Sequence, residues 1–383
     1  MAGNIFGKNF RISTWGESHG LCIGCIIDGC PSGLKLTEAD IQPFLDRRHG
    51  PLCPDKRSEP DKVRILSGVF NGVTLGTAIS ILIENTDVRS EDYDELKDLY
   101  RPGHADFTYD AKYGIRDWRG GGRASGRETA ARIAAGAVAM KILGSINVTV
   151  NGQLLDLEDL KRKSCPLSAG EIPSSADRMQ LTEEEILTAE DSYGAVIEIL
   201  IQGMPAGIGE PVFDKLDAVL SSAVMSLGAI KAVEIGSGFK SAFMSGSECN
   251  DEYINTYCPS DSHESSAKTA HEILMENCRR PGKHFISKKS NNCGGISGGI
   301  SDGDEIILRA YVKPTPSVSL PQETIDKDGL LRNILIKGRH DQCIGPKALE
   351  AAKAMCAISL VDLLFENMHS RMDDFLKIYA SDH

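Results

Sequence analysis

One stretch, Arg116–Val138, constrains this chain more than any other. It reads RDWRGGGRASGRETAARIAAGAV, so Arg116, Arg119, Arg123, Arg127 and Arg132 crowd around three consecutive glycines, Gly120 to Gly122, in a chain of formal net charge −12. Glycine-rich backbone can turn its N–H groups inward to an anion, and guanidinium forks add charge and bidentate geometry. A helix of small residues is expected to follow. Two readings fit the window alone: a cradle for an anionic ligand, or an arginine-decorated surface loop capped onto an alanine-rich packing helix.

The 383 residues leave room for a large core and for two or three domains, although single intertwined α/β units of this size also occur. Hydrophobic residues at 41% and charged residues at 25% are those of an ordinary globular protein. With 42 basic against 54 acidic residues, nucleic acid is not expected as the main partner. A local basic cluster on an acidic protein points instead to a small anionic ligand in a focused positive pocket. The N-terminus MAGNIFGKNF has no apolar h-region, and no apolar run approaches bilayer length, so no membrane association is expected. The eleven cysteines are scattered and odd in number, unlike a disulfide framework, and the expected compartment is the reducing cytoplasm. Cys22 and Cys25 form a CxxC inside an expected strand, Leu21–Asp28. Positions three apart on a strand point to opposite faces, so both are read as structural thiols and no metal site is expected.

Along the chain, residues 10–28 read as two strands broken by the peptide GESHG, Gly16–Gly20. Thr37 is an expected helix N-cap, with Asp40 completing a capping box and Ile41, Phe44 and Leu45 as the apolar stripe. Pro43 should kink or shorten that helix, and Arg47 and Arg48 fall at its C-terminal end, where the macrodipole favours basic residues. His49–Asp61 reads as a loop. Strand signals follow at Val63–Phe70 and Thr77–Glu84, the second with Ile79, Ile81 and Ile83 on one face. Ser90–Leu99 reads as a short surface helix, and RPGHAD, Arg101–Asp106, as a turn exposing His104. The helix of the opening stretch is expected to run to about Gly144. Residues 145–192 carry weak strand signals and an acidic helix, Thr182–Glu190. Ala195–Gln202 reads as a strand and Pro211–Leu227 as an amphipathic helix presenting Phe213, Leu216, Val219, Leu220 and Val224. Asn250–Lys289 is polar and reads as an insertion. A second glycine cluster, CGGISGGISDG, opens into a strand at Glu305–Lys313, followed by KPTPS, then KGRHDQC and a long C-terminal helix.

His19, His104 and His340 all sit in loop contexts beside Gly, Ser, Arg or Asp, where side chains commonly carry function. Arg339 and Asp341, flanking His340, read either as a surface ion pair or as an anion holder with a carboxylate base. GGISGG lacks the Gly-Lys-Ser/Thr ending of a P-loop, and no strand–GxGxxG–helix unit has Rossmann spacing, so a nicotinamide fold is unsupported.

Taken together, GESHGLCIGCIIDGCP, GGRASGRETAARIAAGAV and GRHDQC, with LTEADIQ, IENTDVRS, RPGHADFTY, GIGEPVFDKLDA, VEIGSGF, GGISGGIS and KPTPS between them in order, resemble the chorismate synthase family over residues 1–365. The resemblance implies an α+β fold with antiparallel sheets in the core flanked by helices. It implies one domain over 1–383, with the polar insertion at 250–289, assembled as a homotetramer. It also implies a carbon–oxygen lyase of the shikimate pathway. Such an enzyme removes phosphate and a C6 hydrogen from 5-enolpyruvylshikimate-3-phosphate by anti-1,4-elimination to give chorismate, with reduced FMN required and no net redox change. The chain length matches the short bacterial type, which implies a monofunctional enzyme fed by an external flavin reductant. The alternative is a bifunctional enzyme that also reduces FMN with NADPH, and a more distant one is an RNA or phosphate binder built on the RGGGR segment.

By motif, the resemblance assigns His19 to keeping the reduced flavin protonated, His104 to donating a proton near the departing phosphate and Asp341 to the proton relay. Ser18, Arg48, Arg127 and Arg339 would bind the substrate, with Arg47 beside them. The flavin would be held by Arg123, Ala124 and Ser125, by Gly228 and Ala229, by Gly298, by Lys313, Pro314, Thr315, Pro316 and Ser317, and by Arg339. Departures from the family pattern are the short loop HGPLCPDKR after Arg48, Gln342 after RHD in place of proline, Pro316 in place of serine, Gly228 in place of asparagine and Lys353 in place of glutamate. Arg116 and Arg119 receive no role.

Overall fold

A computed structural model describes residues 3–48, 60–87, 90–156, 191–255, 286–336 and 341–380. The first sheet contains β1 (Ile5–Phe6), β2 (Arg11–Trp15), β3 (Cys22–Asp28), β4 (Val63–Ser67) and β5 (Ile79–Glu84) in the order β1-β2-β3-β5-β4, with every neighbour antiparallel. Period-2 alternation explains β5: Ile79, Ile81 and Ile83 are buried while Ser80 and Leu82 turn to the other, half-buried face. In β3 the same alternation buries Cys25, whose thiol is pushed up to about 12 by desolvation, while Cys22 stays half-buried.

The second sheet contains β6 (Thr149–Leu155), β7 (Ala195–Gln202), β8 (Ile230–Ile235) and β9 (Ile306–Val312) in the order β8-β9-β7-β6, again fully antiparallel. Ile197, Ile199 and Ile201 of β7 and Ile306, Leu308 and Ala310 of β9 form its buried face.

The helices of eight or more residues are α1 (Glu38–Asp46), α2 (Asp106–Tyr113), α3 (Thr129–Gly144), α4 (Leu216–Met225), α5 (Gly345–Asn367) and α6 (Met372–Tyr379). Helices α1 and α3 pack on the first sheet, α4 and α5 pack on the second, and α3 against α5 joins the two halves. The class is thus α+β with antiparallel sheets, and α3 and α5 pack against each other between the two sheets. The reason lies in α3 and α5 themselves. Ala130, Ala131, Ala134, Ala135, Ala137 and Ala139 of α3 and Ala351, Ala352, Ala354 and Ala357 of α5 are all buried, and helices whose small apolar residues are spread round most of the axis belong in the interior. At Gly136 a Cβ would lie 2.3 Å from the Ala354 Cβ, so the crossing depends on glycine.

Several expectations need correction. The helix expected over Pro211–Leu227 starts only at Leu216, and Phe213 is 91% exposed instead of joining the stripe of Leu216, Leu220 and Val224. The backbone turns first, with the Glu210 N–H donating to Asp214 O, and the Gly299 carbonyl then accepts the Leu216 N–H at 2.8 Å. The short helix near Ser90–Leu99 is a 3-10 helix over Ser90–Leu96. Helix α2, directly after the Pro-Gly turn, has no counterpart in the sequence reading. The strand expected over Val63–Phe70 ends at Ser67, and beyond Gly68, at φ +80, Val69–Phe70 pairs with Val73–Thr74 in a separate hairpin. At α1 the local signals hold: the Asp40 carboxylate accepts the Thr37 N–H at 2.8 Å at its start, and that helix, with Pro43 inside it, has only nine residues.

The ends of the expected insertion pair with each other, Tyr253–Asn255 antiparallel to Ile286–Lys288. Residues 256–285 and the helix expected at 182–190 lie outside the described residues. Among the described residues no helix is long and apolar enough to cross a membrane.

Candidate active site

The loop between β2 and β3 carries Ser18 and His19, both buried. The glycine run of the opening stretch lies directly against them. Gly120 adopts φ +69, and a Cβ there would lie 2.3 Å from His19 Nδ1 and 2.7 Å from Ser18 Oγ. Only glycine tolerates both the left-handed backbone and that approach. Ser18 Oγ and His19 Nδ1 are 3.2 Å apart, and the ring edge of the His19–Tyr93 pair is T-shaped at 5.1 Å between centroids. Asp117 lies in the same neighbourhood. The Arg119 hydrogen bond holds its carboxyl below the usual range against the opposing effect of burial, and the charge of His19 adds to that lowering.

Arg101 ties this loop to the RPGHAD turn. Its guanidinium donates to both carboxylate oxygens of Asp106, at 2.7 and 2.8 Å, and to Gly120 O at 2.7 Å. Arg116 lies on the same buried carboxylate and also donates to Lys97 O and Leu99 O, so it is a structural residue. Arg119 forms a two-pronged pair with Asp117 nearer the surface.

Arg48 and Arg127 meet on a single carboxylate. Asp61 accepts Arg48 Nη1 on Oδ2 and Arg127 Nη1 on Oδ1, and all three side chains are buried. Arg127 also donates to Asn85 Oδ1 at 2.9 Å and to Glu84 O at 3.1 Å. Arg48 Nε is buried without a hydrogen-bond partner among the described residues. The structure therefore brings Arg48 and Arg127 together and adds Asp61, at the end of the segment that reads as a loop. Arg47 instead pairs with Glu350 at 3.3 Å and covers the Phe44 ring.

His104 is fixed at both ring nitrogens: Nδ1 lies 2.9 Å from Pro102 O, and Nε2 lies 2.9 Å from Ser317 Oγ. A carbonyl only accepts, so Nδ1 carries a proton. The KPTPS segment is thereby joined to the turn, and Lys313 Nζ donates to Gly103 O at 3.0 Å. The Lys313 N–H donates to Ala229 O at 2.9 Å, which brings Gly228 and Ala229 to the same place, with Ala229 at φ +71. Thr315 Oγ1 is buried there with no partner among the described residues, and nothing lies within 4 Å of where a Gly228 Cβ would be. An orphaned hydroxyl, an ammonium group and open backbone suit a phosphate-bearing cofactor.

Not every residue assigned to the flavin joins this group. Gly298 belongs to the hairpin at the N-terminus of α4, since Gly299 O accepts the Leu216 N–H, whereas Ala229 follows the C-terminus of the same helix. Ten residues of helix span about 15 Å, so within one chain Gly298 and Ala229 do not meet. The Arg123 guanidinium turns toward β2, donating to Thr14 Oγ1 at 2.6 Å, Thr14 O at 3.1 Å and Gly16 O at 3.3 Å. Ser125 Oγ accepts the Arg127 N–H at 3.3 Å and starts the turn that leads into α3, with Ala124 in the 3-10 turn before it. The small residues of α3 serve its packing on α5. Lys347 Nζ holds Asp341 at 2.9 Å; Arg339 and His340 lie outside the described residues.

A family model described as chorismate synthase matches residues 10–365. The chorismate synthase of Lachnospira eligens is 47% identical over 390 residues, which cover 99% of this chain and 100% of that one. The chorismate synthase of Syntrophobacter fumaroxidans is 47% identical over 372 residues, covering 95% and 97%. Among solved structures, a crystal structure of a chorismate synthase superposes with a TM-score of 0.66 at 28% identity, over 97% of this chain and 96% of that one.

Proposed function

The chain belongs to the chorismate synthase family and is a lyase of that type, and from this we propose that it converts 5-enolpyruvylshikimate-3-phosphate to chorismate by anti-1,4-elimination of phosphate. The observation that carries the reading is the His104–Ser317 contact, which joins a histidine with one committed nitrogen to the segment that suits a phosphate-bearing cofactor.

When bound, reduced FMN would supply a transient electron to the substrate and take up the C6 hydrogen, with no net redox change. The residues that would hold it are Lys313 to Ser317, with Gly228 and Ala229. His104, in its protonated form, donates from Nε2 toward the departing phosphate. His19 holds a proton beside the cofactor, in a ring set by Ser18 and Tyr93. Arg48 and Arg127 take the anionic groups of the substrate, with Ser18 beside them and Arg339 completing the set. Asp341, oriented by Lys347, accepts the proton released at the end of the cycle. We read the whole chain as one catalytic unit, cytoplasmic and homotetrameric, fed by an external flavin reductant.

Anaerobic mixing of the protein with substrate and dithionite-reduced FMN should raise the absorbance of chorismate. No product from well-folded protein would defeat the proposal, and turnover in air with NADPH and FMN alone would replace the monofunctional reading with the bifunctional one.

A further inference from the structure

Asp61 is a carboxylate shared by two arginines assigned to the substrate, yet no motif in the sequence marks it. Its side chain is fully buried, and each of its oxygens meets a different guanidinium, from Arg48 at the end of α1 and from Arg127 in the opening stretch.

Its backbone is equally particular. Asp61 has φ +44, in the left-handed region that non-glycine residues seldom occupy. Gln42 of α1 enforces this conformation: its Nε2 donates to Pro60 O and Asp61 O, at 3.4 and 3.3 Å, while its Oε1 accepts the Val63 N–H at 3.0 Å. A strained residue held from several sides at a charged cluster is typical of a preorganised site.

We propose that Asp61 is a positioning residue for the reaction, coupling Arg48 and Arg127 into one preorganised fork that takes a substrate anion as a unit. The inference rests on the reading that these two arginines bind the substrate. A carboxylate that merely stabilised the fold would leave substrate affinity unchanged. One that occupied the anion's own place would compete with substrate, and its removal would tighten binding.

Asp61→Gly separates these cases, because glycine accepts φ +44 without strain and leaves room between the guanidinium groups for formate. We expect KM for 5-enolpyruvylshikimate-3-phosphate to rise about 10- to 100-fold, the range for loss of one charge-assisted hydrogen bond, with kcat little changed. Added formate should restore KM, and calorimetric titration of substrate into the protein should show the same loss and rescue. Asp61→Asn, similar in size but uncharged, should raise KM as well and serves if the glycine variant does not fold. If neither folds, Gln42→Ala, which loosens only the backbone clamp, should raise KM by a smaller factor.

An unchanged or lowered KM, or a loss confined to kcat, would overturn the proposal. Arg127→Lys, measured alongside, tests the underlying reading. If it leaves KM unchanged, the substrate assignment of the arginines fails; if it raises KM while the Asp61 variants do not, only the role of Asp61 fails.

Discussion

His104 Nε2 and Ser317 Oγ lie 2.9 Å apart although 213 residues separate them in the chain. With Nδ1 committed to Pro102 O, the Ser317 side of the ring is where a proton can be given or taken. His104→Ala should therefore lower turnover by roughly 10²–10⁴-fold, the usual contribution of general acid–base catalysis. Steady-state chorismate formation with reduced FMN measures it. Near-normal turnover would remove His104 from the chemistry. Ser317→Ala should cost much less, since the Pro102 contact alone still fixes the ring.

Gly120→Ala tests whether the glycine run shapes the site. The left-handed backbone costs a non-glycine residue about 1–2 kcal/mol. The added Cβ would also overlap His19 Nδ1, and Arg101 pins the Gly120 carbonyl at 2.7 Å, so the histidine loop must move. Displacements of this size cost up to about 10²-fold in rate. Gly121→Ala is the control: φ is −138 and its Cβ would meet Ser125 at an ordinary 3.4 Å. A turnover loss for Gly121→Ala as large as that for Gly120→Ala would mean that the loop is merely intolerant of bulk.

Much of this molecule could be read locally, because much of it is held together locally. The strand at 195–202 is a run of β-branched and apolar residues with clear ends, and the helix opening at Thr37 announces itself by its cap. Phe213 misled because its spacing from Leu216 and Leu220 continues the helical period, while the backbone there is turning. The small residues after Arg127 signalled a helix correctly, but the partner that explains them, Ala354, lies far along the chain. Asp61, Asn85, Tyr93 and Arg101 were invisible as site residues for the same reason. Each is defined by what it touches across the fold, such as the 66 residues between Asp61 and Arg127, and no periodicity encodes that.

Gly136→Ala addresses the crossing of α3 and α5. In an exposed helix this change would stabilise by about 1 kcal/mol. Here the new methyl would sit 2.3 Å from Ala354 Cβ and 2.6 Å from its Cα, so the two helices must separate. Overpacking of this kind costs about 1–3 kcal/mol, and the melting temperature should fall. A rise on thermal denaturation would show that the helices can part at no cost.

Asp106 supplies the pH dependence. Burial favours its neutral acid, but the hydrogen bond and charge of Arg101, joined by Arg116, outweigh that and hold the carboxyl below its ordinary range. A depressed folded-state value means that the stabilisation is fully present above the unfolded value, near 3.9, and is lost as pH falls through the folded one. Asp106→Asn should therefore destabilise the protein at neutral pH, by at most about 3–5 kcal/mol, the cost of breaking a buried pair, because Arg116 keeps Asp110 at 3.2 Å. The difference from the parent should shrink as the pH falls below about 4, where the unfolded chain takes up its proton, and vanish once the pH has passed the lower value of the folded carboxyl. Melting temperatures of the two proteins between neutral and acid pH test this directly. A gap that stays constant down to the lowest pH at which both fold would mean that the Arg101–Asp106–Arg116 cluster is not what acid dismantles.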